Sequence, residues 1–405
     1  MRFLHVADLH FGKSVHGVSM LENGDQPYWV EQFLRLAAEV KPDAVVIAGD
    51  VYDRSSPSGD AVALLSRLVV GLAALGAEVM LVAGNHDSGQ RMAFAGELLS
   101  RQGVHIAGSL GPRLDSVTLR DAHGPVTFWL MPYVFPALIG QALGDDTLRD
   151  YDAAVRRLLA AQDIDFSGRN VIVAHQNVTV GGKEGPRGGS ESMVGGVGQV
   201  EHTAFDGFDY AALGHIHAAC PVGRSTVRYA GSPLCYHFDE TRQSRKGPLL
   251  VELGPKGAAV RVETLTIPPL HPMRELRGPA EELRALEAAG ANRGEYLRLV
   301  VTDQPLTPEL ADFFQRLAEE RGSVLMERLS EFRRFTGEAV TPDERAVQEQ
   351  PLEELFAAFF AQRSGSELPE EDRALLHRAG ELLADGDDVR AQALADFLLG
   401  QEVAE

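Results

Sequence analysis

Cysteine is almost missing: Cys220 and Cys235 are the only two in 405 residues. That scarcity excludes a disulfide framework and a thiolate zinc centre. Long apolar runs are missing as well. None approaches the roughly 20 residues that a bilayer-spanning helix needs, and the apolar opening of the chain is interrupted at His5 and Asp8, too early for a secretory signal core. The expected compartment is the cytoplasm, with no membrane association. Positive charge is in short supply: 38 Lys and Arg against 58 Asp and Glu give −20, which at face value disfavours a surface wrapped around nucleic acid or anionic lipid. The deficit is uneven, however. The last 65 residues hold 16 acidic and 5 basic side chains, leaving −9 for the first 340, and carboxylates that bind divalent cations do not act as negative charge toward a substrate. A phosphate-bearing substrate is therefore not excluded.

What is present is globular: 44% hydrophobic and 24% charged residues, in a chain long enough for two or three domains. Short aliphatic runs at residues 3–7, 44–48, 79–83 and 171–174 end abruptly in polar residues and read as buried strands. Between them, residues 28–40 and 61–75 carry apolar positions three and four apart, the spacing of helices. This alternation predicts an α/β layered core, in which functional groups gather beyond the carboxyl ends of the strands. Residues 181–198 are glycine-rich without a Gly-Lys-Ser/Thr sequence, so they read as a long surface loop and not as a phosphate-cradling loop. After Pro268-Pro269 a second, smaller α/β pattern follows, with strands expected at 273–276, 296–302 and 324–329 and helices at 280–289 and 308–320. Beyond a polar stretch, residues from 352 onward predict amphipathic helices, the first with Leu352, Leu355, Phe356, Phe359 and Phe360 on one face.

Seven oxygen and imidazole donors stand at or near the strand ends: Asp8, His10, Asp50, Asn85, His175, His215 and His217. The set suits two medium-hard divalent ions, Mn²⁺ foremost, with Mg²⁺, Fe²⁺ or Zn²⁺ behind it. In Asp8-x-His10 and His215-x-His217, side chains two apart on an extended segment project to one side, so each pair is expected to close on one metal centre. Asp50 has two carboxylate oxygens and can bridge both ions. Two ions roughly 3.5–4 Å apart can activate a nucleophile for in-line attack on phosphorus and neutralise charge on the phosphoryl oxygens.

Asp8-Leu9-His10, Gly49-Asp50-x-x-Asp53, Gly84-Asn85-His86-Asp87, His175 and Gly214-His215-Ile216-His217 together resemble the calcineurin-like metallophosphoesterases in order and spacing. The segment Ala48 to Arg54, with Arg228-Tyr229-Ala230-Gly231-Ser232-Pro233 and Phe238-Asp239-Glu240, is similar to the bacterial SbcD nuclease subunits, counterparts of the nuclease in the eukaryotic and archaeal double-strand-break repair complex. The likeness is strong through residue 270 and looser beyond. It implies an α/β fold: a two-sheet αββα sandwich as the nuclease domain (1–269), a small α/β capping domain that helps place DNA (270–335), and a linker with C-terminal helices (336–405).

The resemblance also implies residue roles. One metal would be held by Asp8, His10, Asp50 and His217, the other by Asp50, Asn85, His175 and His215. His86 matches the family's catalytic histidine, contacting phosphate and protonating the departing 3′ oxygen. Asp87 would orient that imidazole through a carboxylate hydrogen bond, and Asp53, where archaeal and eukaryotic relatives tend to have histidine, would play a supporting part. The implied activity is Mn²⁺-dependent 3′→5′ exonuclease action on duplex ends and endonuclease action on single strands and hairpins, in DNA repair, recombination and replication at the nucleoid. The implied partners are DNA, an SbcC-type coiled-coil ABC ATPase that docks on the stripe around Leu355, Phe356 and Phe359, and a second copy of the chain.

Two rival functions share part of this pattern: a phosphodiesterase acting on small molecules or phosphoproteins, and a subunit that mainly tethers DNA. The remaining histidines, His5, His16 and His237 among them, read as surface or core residues. Arg54, Arg91, Lys183, Arg187, Arg224 and Arg242 lie in or near the expected active-face loops as candidate phosphate contacts, with solvated surface charge as the plainer reading.

Overall fold

The computed structural model describes residues 1–182, 198–242, 246–288 and 294–332. Two six-stranded sheets face one another. The first has the spatial order Arg261–Thr264, Leu249–Glu252, Arg2–Val6, Ala44–Ala48, Glu78–Val82, Val104–Ala107. Its last four strands are parallel, and Leu249–Glu252 pairs antiparallel with Arg2–Val6. The second has the order Cys220–Val222, Arg224–Tyr229, Tyr210–Gly214, Arg169–His175, Gly124–Met131, Asp115–Asp121. Its four inner strands are parallel and its edges antiparallel.

Strand periodicity sorts the side chains into layers. Phe3, Val46, Met80 and Val82 meet Val126, Phe128, Val171 and Val173 between the sheets. Leu4, Val45, Ile47 and Leu81 face the other way, toward the helices Asp25–Val40 and Gly59–Ala74. On the far side, Ile172, Ala211 and Leu213 pack with Pro136–Leu143 and Tyr151–Ala160. The result is the expected αββα sandwich. It explains why Ala44–Ala48 is apolar at every position: all five residues are buried, as in parallel strands covered on both faces. Each fully buried aliphatic or aromatic side chain contributes about 1.5–3 kcal/mol. His5 also lies between the sheets, where the Tyr210 hydroxyl donates to Nδ1 (3.1 Å) and Nε2 donates to the Leu213 carbonyl (3.2 Å). Burial pulls its pKa down to about 3, so it is a neutral core histidine.

A third sheet, Met273–Gly278, Tyr296–Val301 and Val324–Ser330, is wholly parallel. With the helices Ala280–Ala288 and Pro308–Glu320 it encloses Leu276, Leu283, Leu299 and Phe314. Pro308 at the first helical turn and the Thr307 hydroxyl, which accepts from the Leu310 amide at 3.3 Å, start the second helix. The other face of this sheet joins the sandwich. The buried Tyr296 hydroxyl donates to Asp25 Oδ2 (2.5 Å), and His271 Nδ1 donates to Asp25 Oδ1 (3.0 Å). Arg298 lies 4.7 Å over the Phe238 ring and pairs with Glu327 (2.5 Å), Glu275 (3.3 Å) and Asp239 (3.5 Å). The stripe from Leu352 to Phe360, Lys183 and Arg187 lie outside the described residues.

Phe3 stands edge-on to Phe128 (5.4 Å) and Tyr210 (5.6 Å) between the sheets. Phe3→Ala is expected to lower unfolding stability by about 3–5 kcal/mol, read from the shift of the urea transition at constant slope.

Candidate metal and active site

The seven donors leave the ends of strands from both sheets and converge. His175 ends its strand, but Asp8, His10 and His215 do not sit on extended segments, which removes the side-by-side ground for the Asp8-x-His10 and His215-x-His217 pairs, although Asp8 and His10 still meet in one cluster. The strands stop at Val6 and Gly214, and Asp8 (φ 55°), His10 (φ 44°), Asp50 (φ 48°) and His215 (φ 104°) lie at positive φ. Such conformations cost roughly 1–3 kcal/mol each and persist where the surroundings overdetermine them. The turned backbone sends His215 and His217 to different places. Two glycines allow the close approach: a Cβ on Gly49 (φ +85°) would lie 2.3 Å from His175 Nδ1, and one on Gly84 would lie 2.1 Å from Asp50 Oδ1.

Asp8, His10 and His217 each offer one ligand atom within 4.8 Å of the others, as do Asp8, Asp50 and His175. His10 Nε2 and His217 Nε2 are 3.1 Å apart, and Asp50 Oδ2 is 3.6 Å from His10 Nε2 and 3.3 Å from His175 Nε2. Asn85 Oδ1 sits 3.0 Å from His175 Nε2 and 3.1 Å from His215 Nδ1. The fold thus brings all seven together, with Asp50 central.

The donor set fits divalent cations. Asp8 is fully buried, Oδ1 accepts from the His215 amide, and Oδ2 has no hydrogen-bond partner among the described residues. A buried carboxylate oxygen left so is costly unless a cation meets it, and burial accordingly pushes Asp8 up to about 7. His175 Nδ1 donates to the Ala48 carbonyl at 2.8 Å, which turns Nε2 toward the oxygens of Asp50 and Asn85. Burial disfavours a charge on His175, but Asp50 outweighs it and raises the imidazole to about 9. Burial also opposes the charge on Asp50, yet His175, His10 and His86 keep its carboxyl well below the usual range. Burial, reinforced by His175, pulls His215 down to about 3.

His86 borders the cluster. A ring nitrogen lies within 4.8 Å of ligand atoms of His10 and Asp50, and the His86 amide donates to Asp50 Oδ1 at 2.9 Å. Its Nδ1 donates to the backbone carbonyl of Asp53 (2.9 Å), so Nε2 is the nitrogen left for other work. The expected bond from Asp87 to this imidazole is not what the structure has. The Asp87 carboxylate instead accepts from the amides of Gly84 (2.8 Å), Tyr52 (2.9 Å) and Val51 (3.1 Å), stitching the loop after Ala83 to the loop after Asp50. Three amides converging on one point outcompete a single imidazole. The candidate phosphate contacts divide similarly. Arg224 donates to the carbonyls of Phe205 and Phe208, Arg91 to that of Ser55, and Arg242 faces Glu275. Arg54, 82% exposed, stays at the rim beside Asp53.

Sequence reasoning missed three charged neighbours. Glu240, fully buried, accepts from His217 Nδ1 (3.1 Å) and pairs with Lys246 (2.7 Å). Burial would raise its pKa, but Lys246 and His217 hold it down at about 2. Lys13 pairs with Asp53 Oδ1 (2.7 Å), which stands 3.6 Å from His10 Nδ1. The place of Glu240 in the Phe238-Asp239-Glu240 motif was the only available hint.

Asp87→Ala strands three loop amides and is expected to lower stability by about 3 kcal/mol or more, with Asp87→Asn losing less. Thermal melts of the metal-free protein check the order.

Residues 1–219 match the calcineurin-like phosphoesterase family, and residues 269–364 match the type 5 capsule protein repressor C-terminal domain. A protein named as the SbcD subunit of the nuclease SbcCD, from Staphylococcus saprophyticus, is 31% identical over 287 residues, covering 70% of this chain and 73% of its own. Its namesake from Staphylococcus epidermidis is 29% identical over 309 residues, covering 75% and 79%. A solved dimetal phosphatase from Danio rerio, 13% identical with a TM-score of 0.35, spans 65% of this chain and 98% of its own, too remote to add weight. A family match across more than half the chain and extended identity to these relatives, on a site built of these donors, make this chain a member of the SbcD nuclease-subunit family of calcineurin-like phosphoesterases.

Proposed function

We propose that this chain is the metal-dependent nuclease subunit of an SbcCD-type complex, cleaving DNA phosphodiesters as a 3′→5′ exonuclease on duplex ends and as an endonuclease on single strands and hairpins. The observation that carries this reading is the convergence of seven donors around Asp50, with the His86 imidazole at their edge. Asp8, His10, Asp50 and His217 hold one divalent cation; Asp50, Asn85, His175 and His215 hold the other. Mn²⁺ is the favoured ion, with Mg²⁺ or Fe²⁺ able to use the same ligands. When bound, the cations supply Lewis-acid stabilisation of the phosphoryl charge and an activated nucleophile.

The chain's own residues do the rest. The Asp53 carbonyl fixes the His86 ring through Nδ1, so that Nε2 faces the scissile phosphate and, in the imidazolium form, gives its proton to the departing 3′ oxygen. Asp53 acts through His86 and His10 and does not touch substrate, while Asp87 holds the two loops in register. Arg54, exposed at the rim, contacts the DNA backbone. Residues 1–269 form the nuclease domain, residues 270–335 act as the cap that places DNA, and residues 336–405 bind the SbcC-type ATPase. The complex works in the cytoplasm at the nucleoid, in DNA repair and recombination.

A second copy of the chain covers the face where Val62, Val70 and Phe94 line one apolar recess of about 500 Å³. Val70 and Phe94 are 64% and 83% exposed there, an apolar patch of the kind that marks interfaces.

Mn²⁺ titration of cleavage of an end-labelled hairpin and a blunt duplex, with and without an SbcC-type ATPase and ATP, tests the main reading. Metal-dependent cleavage that the ATPase stimulates is expected, and His86→Gln should keep metal while losing at least about 100-fold in turnover. A metal-loaded protein that cleaves only a nitrophenyl phosphodiester would turn the assignment to a small-molecule phosphodiesterase. For the dimer, sedimentation at high concentration should give two copies for the native chain and one for Phe94→Asp.

A further inference from the structure

We infer that the two cation positions are unequal, and that the one built on Asp8, His10, Asp50 and His217 is the tighter, because a lysine-neutralised carboxylate stands behind each of its imidazoles. The inference rests on the two-cation reading above. Behind His217, the fully buried Glu240 accepts from Nδ1 at 3.1 Å. Its other oxygen meets Lys246 Nζ at 2.7 Å, the Tyr236 amide at 3.1 Å and the Ser232 hydroxyl at 3.2 Å. Lys246 in turn donates to the His217 carbonyl at 3.1 Å, so the residue is gripped at both its ring and its backbone. Behind His10 a carboxylate stands near without a hydrogen bond: Asp53 Oδ1 lies 3.6 Å from Nδ1, which has no hydrogen-bond partner among the described residues, and 2.7 Å from Lys13 Nζ. The two rings so backed aim their Nε2 atoms at one point, 3.1 Å apart.

The other position is built differently. His175 Nδ1 rests on the neutral Ala48 carbonyl at 2.8 Å, with Asp8 Oδ1 farther off at 3.9 Å, and His215 turns its Nδ1 toward the ligand oxygen of Asn85 at 3.1 Å, on the cation side of the ring. A carboxylate on the far nitrogen fixes the tautomer and orientation of a ligating imidazole and raises its basicity; a carbonyl does less. The lysines decide why two further acids are tolerated beside Asp8 and Asp50. Each outer carboxylate is balanced by one ammonium, so the preference comes from imidazole orientation and basicity and not from added bulk negative charge. Glu240, Asp53, Lys246 and Lys13 are accordingly positioning residues.

The test is a Mn²⁺ titration of the metal-free full-length chain, with free Mn²⁺ read by electron paramagnetic resonance and folding followed by the metal-free melting temperature. The native chain should show two unequal classes. Glu240→Gln should weaken the tighter class about 10–100-fold and leave the weaker within about threefold, while Asn85→Ala should do the reverse. If Glu240→Gln lowers the metal-free melting temperature sharply, Asp53→Asn carries the test, with a smaller loss in the same class. Two equal classes, an effect on the weaker class, or unchanged constants in both carboxylate variants would overturn the inference while leaving the two-cation site intact. A native chain that binds no Mn²⁺ would overturn the two-cation reading itself, and the inference with it.

Discussion

Asp8 and Asp50 put two carboxylates where water scarcely reaches, at 0% and 3% exposure, and the site is organised around that electrostatic problem. Like charges in a low-dielectric pocket cannot both remain ionised without compensation. The surroundings supply imidazoles from the ends of four separate strands and backbone amides from His86 and His215. To bring those groups close enough, the chain accepts left-handed backbone at four ligand residues and omits a side chain at Gly49 and Gly84. The two sheets make this tolerable. Their interleaved aromatic and aliphatic layers hold the strand ends rigidly, so the strain is borne by a framework whose stability is set elsewhere.

The layered fold and the ligand set were legible because each signal is local. A parallel strand covered on both faces must be apolar throughout, and its abrupt ending in Asp50, Asn85 or His175 marks where the sheet stops and chemistry begins. What was illegible depends on contacts between distant parts of the chain. Glu240 is 23 residues from His217 and Lys246 is 29, with no periodicity linking them. The strand Leu249–Glu252 returns to pair with Arg2–Val6 from the other end of the domain, a register that no nearby residue announces.

The two misplaced expectations have one physical source. The i, i+2 argument for Asp8 and His10 assumed extended backbone, and the bond from Asp87 to His86 assumed that neighbouring residues serve one another. In both cases backbone groups decided the outcome: the Asp8 and His10 amides bond the carbonyls of Gly49 and Asp50, while the amides of Gly84, Val51 and Tyr52 captured the Asp87 carboxylate and the Asp53 carbonyl captured the His86 ring. Arg224 follows the same rule. It was a candidate for phosphate contact, and it satisfies the carbonyls of Phe205 and Phe208 instead. Main-chain donors and acceptors are invisible in a list of side chains, yet each must find a partner when buried.

The short turn Phe238–Arg242 joins what the layers keep apart. Glu240 faces inward to His217, while Phe238 and Asp239 face Arg298 of the small parallel sheet, which also carries Tyr296 down to Asp25. Three consecutive residues therefore report to two bodies at once. The orientation of the His217 ring and the seating of the small sheet thus hang on one short backbone segment, and no substitution in it touches one without reaching the neighbour of the other.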